Sequence, residues 1–177
     1  MRAPPATYVV LALFLVPTSL SQGRASNAQV PSSVGAESLL TPLVGTWRFD
    51  MYSADRHDPV ASGQREMRLM SDSTKLAWTE TFRGRSDTGT GVLGYNAATN
   101  AYYVLGVYTH EPNPVVLTGR ADSSTRTIAF DPAPTNPRLA KAGIFEASAL
   151  RLIDANQFEW VASDGSWRTV FIRVRAS

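Results

Sequence analysis

The chain has 177 residues, 44% of them hydrophobic and 18% charged, a size and balance that suit one globular domain. Its net charge of +2 depends on Arg2 and Arg24 near the N-terminus, without which 15 basic residues face 15 acidic ones. No basic run concentrates charge enough to engage phosphates, which excludes a nucleic-acid binder, and the lack of cysteine excludes disulfides.

Residues 1–28 carry a targeting pattern. Arg2 supplies a positive start, and the run from Tyr8 to Val16 is an apolar core too short to span a bilayer. Small residues then permit cleavage after Ser21 or Ala28. The stretch reads as a cleaved signal peptide, which makes the mature protein secreted or periplasmic with no integral membrane segment. Ser, Gly, Ala and Pro dominate from Gln22 to Ala36, so residues 29–37 read as a flexible tether ahead of a domain at 38–177.

The domain opens on Leu39 to Leu43, a short apolar turn leading into Gly45-Thr46-Trp47. From Trp47 the hydrophobic pattern changes to period two, the signature of half-buried strands. Strands are expected at Trp47–Tyr52, Gln64–Met70, Leu76–Phe82, Gly91–Tyr95 and Tyr102–Thr109, with Gly84 to Gly89 as a turn. Five more follow at Val115–Arg120, Thr125–Phe130, Phe145–Ile153, Phe158–Ala162 and Trp167–Val174. Asn96 to Asn100, Asp122 to Ser124, Asp154 to Asn156 and Asp164-Gly165 supply turn chemistry between them, because Asn, Asp and Gly accept the backbone angles a tight reversal needs. Asp131 to Gly143, with three prolines, is the one long loop.

About ten strands joined by short turns form a meander, and a meander this long has exposed edges unless it closes. The fold class is therefore all-β, an up-and-down antiparallel barrel with a short N-terminal helical turn across one end. A sandwich is the alternative, but it needs longer crossovers. A lipid-spanning barrel is disfavoured because Arg, Asp and Glu interrupt too many strands.

Leu43-Val44-Gly45-Thr46-Trp47 resembles the Gly-x-Trp opening of lipocalin-like, calycin-type barrels. Glu66-Met67-Arg68, Phe82-Arg83-Gly84, Gly94-Tyr95-Asn96, Tyr102-Tyr103, Leu117-Thr118-Gly119, Asp164-Gly165 and Phe171 to Arg175 resemble, in that order, a bacterial domain-of-unknown-function family with the same fold. The likeness spans residues 39–175. It implies a lipocalin-like barrel and brings no established activity. It also implies that Trp47 packs at the closed end against an Arg of the last strand. Arg173 and Arg175 share the parity of Trp167 and Phe171, so alternation leaves both open. Gly45, Trp47, Arg173 and Arg175 are thus structural candidates.

Glu80 is the residue most suggestive of chemistry. By alternation it shares a face with Leu76, Trp78 and Phe82, and a buried carboxylate must be paired or protonated. It reads as a ligand contact or a general base; the plainer account is an ion pair with Arg65 or Arg68. Trp78, Tyr95, Tyr103, Phe145, Phe158, Trp160, Trp167 and Phe171 either line an apolar pocket or fill the core. Trp78, Glu80, Tyr103 and Trp160 are expected to line the interior.

His57 and His110 are the two histidines, without the spacing of a zinc site. A lone His could ligate haem iron, but solvated loops account for both. Gly84 to Gly89 has one residue too many for a nucleophile elbow and no helix after it. No metal or other cofactor is called for. The leading expectation is a non-enzymatic barrel that binds a small apolar or amphipathic molecule. A cofactor-free enzyme using Glu80 as acid/base, or an interaction module with a filled core, are the alternatives.

Overall fold

The computed structural model describes residues 39–71, 73–111, 113–133 and 146–175. The signal peptide, the tether and Phe145 lie outside them. Side chains alternate across a strand, so pairing register decides which residues meet inside. Ten strands are seen: β1 (Gly45–Ser53), β2 (Ala61–Leu69), β3 (Lys75–Phe82), β4 (Thr88–Asn96), β5 (Ala101–Tyr108), β6 (Val115–Asp122), β7 (Thr127–Pro132), β8 (Ser148–Leu152), β9 (Gln157–Ala162) and β10 (Trp167–Arg173). Each pairs antiparallel with its sequence neighbours, and β1 pairs with β10 to close the barrel. Closure leaves no free edge among them. Among the described residues a single 3-10 turn, Thr41–Leu43, is the helical element, and no helix is long and apolar enough to cross a membrane.

That turn seals one end. Pro42 sets its backbone, and Leu39, Leu40 and Leu43 are buried beneath it. Trp47 is 1% exposed, and its indole Nε1 donates to the Leu43 carbonyl at 2.8 Å. In register with Trp47 across β1 and β10 stands Arg173, whose guanidinium lies 4.1 Å from the centre of the indole ring. Arg173 also donates from Nη1 to Val44 O at 2.7 Å, from Nη2 to Pro42 O at 2.6 Å and from Nε to Ala155 O at 2.8 Å. Arg175, the other candidate, is exposed beyond the end of β10 and takes no part in the seal. Gly45 has φ of +132°, and a Cβ there would stand 2.5 Å from Arg173 Nη1. The glycine of the Gly-x-Trp is thus required twice, by backbone angle and by room for the guanidinium.

Above the seal the barrel is filled. Trp47 meets Phe158 edge-on at 4.7 Å, Phe158 stacks on Phe171 at 4.2 Å, and Tyr95 lies 5.1 Å from Tyr102. β4 begins at Thr88, earlier than alternation in the sequence implies, because Gly89 belongs to the strand and not to the preceding turn. A Cβ on Gly89 would come within 2.5 Å of the Tyr108 ring, and Gly91 is similarly covered by Trp78. Both glycines make room for rings on the inner face.

Trp47→Ala is expected to destabilise the barrel by about 3–5 kcal/mol, as deletion of a buried aromatic does. Arg175→Ala should shift stability by no more than about 0.5 kcal/mol, as surface changes do. Urea denaturation of the two variants checks the assignment of the seal.

Candidate ligand-binding cavity

The opposite end of the barrel is not filled. A cavity of about 430 Å³ lies there, walled by Met51, Phe82, Val115, Leu117, Trp160, Trp167 and Phe171. Arg65, Glu80, Tyr108, Ser148 and Thr169 are its inner polar groups, with Arg85, His110, Glu111 and Glu146 also lining it. These last four belong to the connections beyond β3, β5 and ahead of β8, at the end away from Thr41–Leu43.

Register explains the polar centre. Arg65 of β2 pairs directly with Glu80 of β3, on the inner face that β2 also gives to Gly63 and Met67. Both are 4% exposed. Arg65 Nε donates to Glu80 Oε2 at 2.7 Å, and Nη2 donates to the same oxygen. Three rings surround the guanidinium, with Trp78 and Phe171 centred 4.8 Å from it and Trp160 at 5.6 Å. Burial works against the charge on Arg65, yet Glu80 and Tyr108 hold its affinity for the proton above the ordinary value. Nη1 is buried and has no hydrogen-bond acceptor among the described residues.

Tyr108 stands beside the pair, in ring contact with Trp78 at 5.7 Å and with His110 at 5.5 Å. Burial pushes its phenol up to about 12, Arg65 opposes the rise and Glu80 adds to it. Trp160 is fixed from behind by a 3.0 Å hydrogen bond from its Nε1 to Ser148 Oγ. An aromatic wall with two fixed charges and a neutral phenol can hold a small molecule and orient one polar end of it.

The expected site residues divide three ways. Glu80 and Trp160 line the cavity. Trp78 is buried behind them, packed on Arg65 and Tyr108. Tyr103 is a correction: β5 turns Tyr102, at 1% exposed, and Val104, at 2%, inward, which sends Tyr103 to the outer face. There it pairs with Gly94 and its ring covers that glycine from outside. The adjacent tyrosines made the parity of β5 ambiguous; Tyr108, two strand periods beyond Val104, is the tyrosine that reaches the cavity. Of the two partners weighed for Glu80, Arg65 takes it, while Arg68 is exposed and pairs with Glu66. His110 is exposed and meets Phe82 edge-on at 5.7 Å, and His57 is exposed on the loop after β1.

No protein family matches the chain, and no curated protein sequence matches it. Among solved structures it is similar to a redesigned β-barrel, with 19% identity and a TM-score of 0.43 over 79% of this chain and 96% of that one.

Removing one partner of a buried pair strands the other charge, so Glu80→Leu is expected to cost about 3–5 kcal/mol. The double change Arg65→Leu with Glu80→Leu should recover that loss or exceed it, since apolar replacements of buried pairs are commonly neutral or stabilising. Urea denaturation of the two variants measures both. A separate expectation concerns Tyr108, whose phenol is held protonated in the folded state. Its contribution to stability is complete below about pH 10, the ordinary tyrosine value, and is lost as pH rises towards about 12. Ultraviolet absorbance titration should show a late-ionising component that is missing in Tyr108→Phe.

Proposed function

We propose that this protein is a secreted or periplasmic barrel of the lipocalin-like kind its motifs resemble, and that it binds a small apolar or amphipathic molecule without transforming it. The observation that carries this reading is the cavity itself. Its volume of about 430 Å³ falls within the range of small-molecule sites, and its lining sets polar groups among apolar and aromatic side chains. A small barrel with no ligand to hold can fill its interior with side chains throughout, as this one does at its sealed end. The targeting pattern of residues 1–28 supports an extracytoplasmic location.

The enzyme alternative finds less support. An acid/base carboxylate must direct a lone pair at its substrate. Glu80 Oε2 receives two donors from Arg65, so one of its two carboxylate oxygens is engaged in a structural pair. The reading of an interaction module with a filled core is likewise weakened by the cavity.

Native mass spectrometry of protein isolated from its own host should reveal a small-molecule adduct, displaced in step with uptake of the fluorescent apolar probe phenylnaphthylamine. Absence of both adduct and probe binding would end the proposal. Glu80→Gln separates the alternatives, because it should leave probe binding nearly intact, whereas an enzyme dependent on that carboxylate would lose turnover while retaining its ligand.

A further inference from the structure

The inner end of the cavity holds a complete ion pair but an incomplete set of hydrogen bonds, and together these restrict what can occupy it. Glu80 neutralises Arg65, and both are 4% exposed. Arg85, the other cation on the lining, is exposed at the rim, where Glu111 and Glu146 also lie. A carboxylate or sulfonate pushed to the inner end would set a second negative charge beside Glu80, with no buried cation left to meet it. An ammonium would face Arg65 in the same way. A wholly apolar molecule would leave Arg65 Nη1, already buried without an acceptor, unsatisfied beneath it.

We propose that the ligand is an uncharged amphiphile whose polar end is a hydrogen-bond acceptor, a ketone, ester or amide carbonyl, received by Arg65 while its apolar body lies against Trp160 and Phe171. This rests on the cavity-binding reading above and adds the chemical class of the ligand to it. Nη1 is buried and Tyr108 stands beside Arg65, so the half-buried phenol must move aside for the carbonyl to reach Nη1. The phenol stays protonated at neutral pH and remains a neutral donor to the same oxygen. Glu80 then acts as a positioning residue. It holds the fork of Arg65 by Nε and Nη2 and leaves Nη1 as the donor for the ligand.

Three aromatic probes of related size test this: the neutral naphthyl ketone prodan, the apolar phenylnaphthylamine and the anionic anilinonaphthalene sulfonate. Fluorescence titration of the wild-type chain should rank prodan tightest. Arg65→Lys keeps the charge opposite Glu80 but loses the planar fork, so it should weaken prodan about tenfold or more, the worth of a hydrogen bond to a charged group. Phenylnaphthylamine should be unaffected by the change. The double variant Arg65→Leu with Glu80→Leu removes the pair without stranding a charge and should bind prodan and phenylnaphthylamine alike.

Equal affinities for those two probes in the wild type, or retention of prodan preference in either variant, would overturn the proposal and leave cavity binding standing. Tightest binding of the sulfonate would also overturn it, in favour of a charged head group. Failure of every probe to bind would instead overturn the function from which the proposal starts.

Discussion

Closure of a ten-stranded meander depends on joining two strands from opposite ends of the chain, and Arg173 is where that join is secured. Its three nitrogens reach carbonyls of Pro42, Val44 and Ala155, and its plane lies on Trp47. One side chain thus ties the 3-10 turn, the first strand, the last strand and the β8–β9 turn. Arginine suits this task because its donors are fixed in a plane that can also stack on an indole. Gly45 leaves the space, and the Leu43 carbonyl accepts the indole proton. With that end sealed and packed, the remaining volume lies at the other end, which is where the unpaired nitrogen of Arg65 is found.

The strands were legible because each short run alternates and each turn carries Asn, Asp or Gly. Asn100 takes φ of 49° and accepts a 3.0 Å hydrogen bond from the Tyr95 hydroxyl, as its place between two apolar runs suggested. The inward face of β3 was equally readable, since Leu76, Trp78, Glu80 and Phe82 share one parity and all turn inward. Two things could not be read. Arg173 and Arg175 have the same parity, and only the register against Trp47 separates them. Tyr102 and Tyr103 are adjacent, and the glycine opposite Tyr103 that draws its ring outward is known only once β4 and β5 are paired. Gly89 misled for a related reason: it resembles a turn signal but makes room for the ring of Tyr108.

Arg173 and Arg65 do different things with the same chemistry. Arg173 places each nitrogen on a backbone carbonyl and is finished as a structural group. Arg65 spends two nitrogens on one carboxylate oxygen, sits among three rings and keeps a donor in reserve. A guanidinium so enclosed is held in one geometry by the carboxylate and the rings around it, so the cost of orienting it is met during folding.

The pairing of β1 with β10 has a further consequence, for the order in which the barrel can come into being. Every other ladder joins strands that follow one another in the chain, so each can form as soon as its second strand is available. The closing ladder cannot, and the carbonyls of Pro42 and Val44 wait for a guanidinium 131 and 129 positions away. Until residues 167–173 arrive, β1 presents an unpaired edge that another chain could occupy. A chain that ends early would retain most of its local pairing and still lack a closed state, which makes the last strand the checkpoint between a closed barrel and edge-to-edge association.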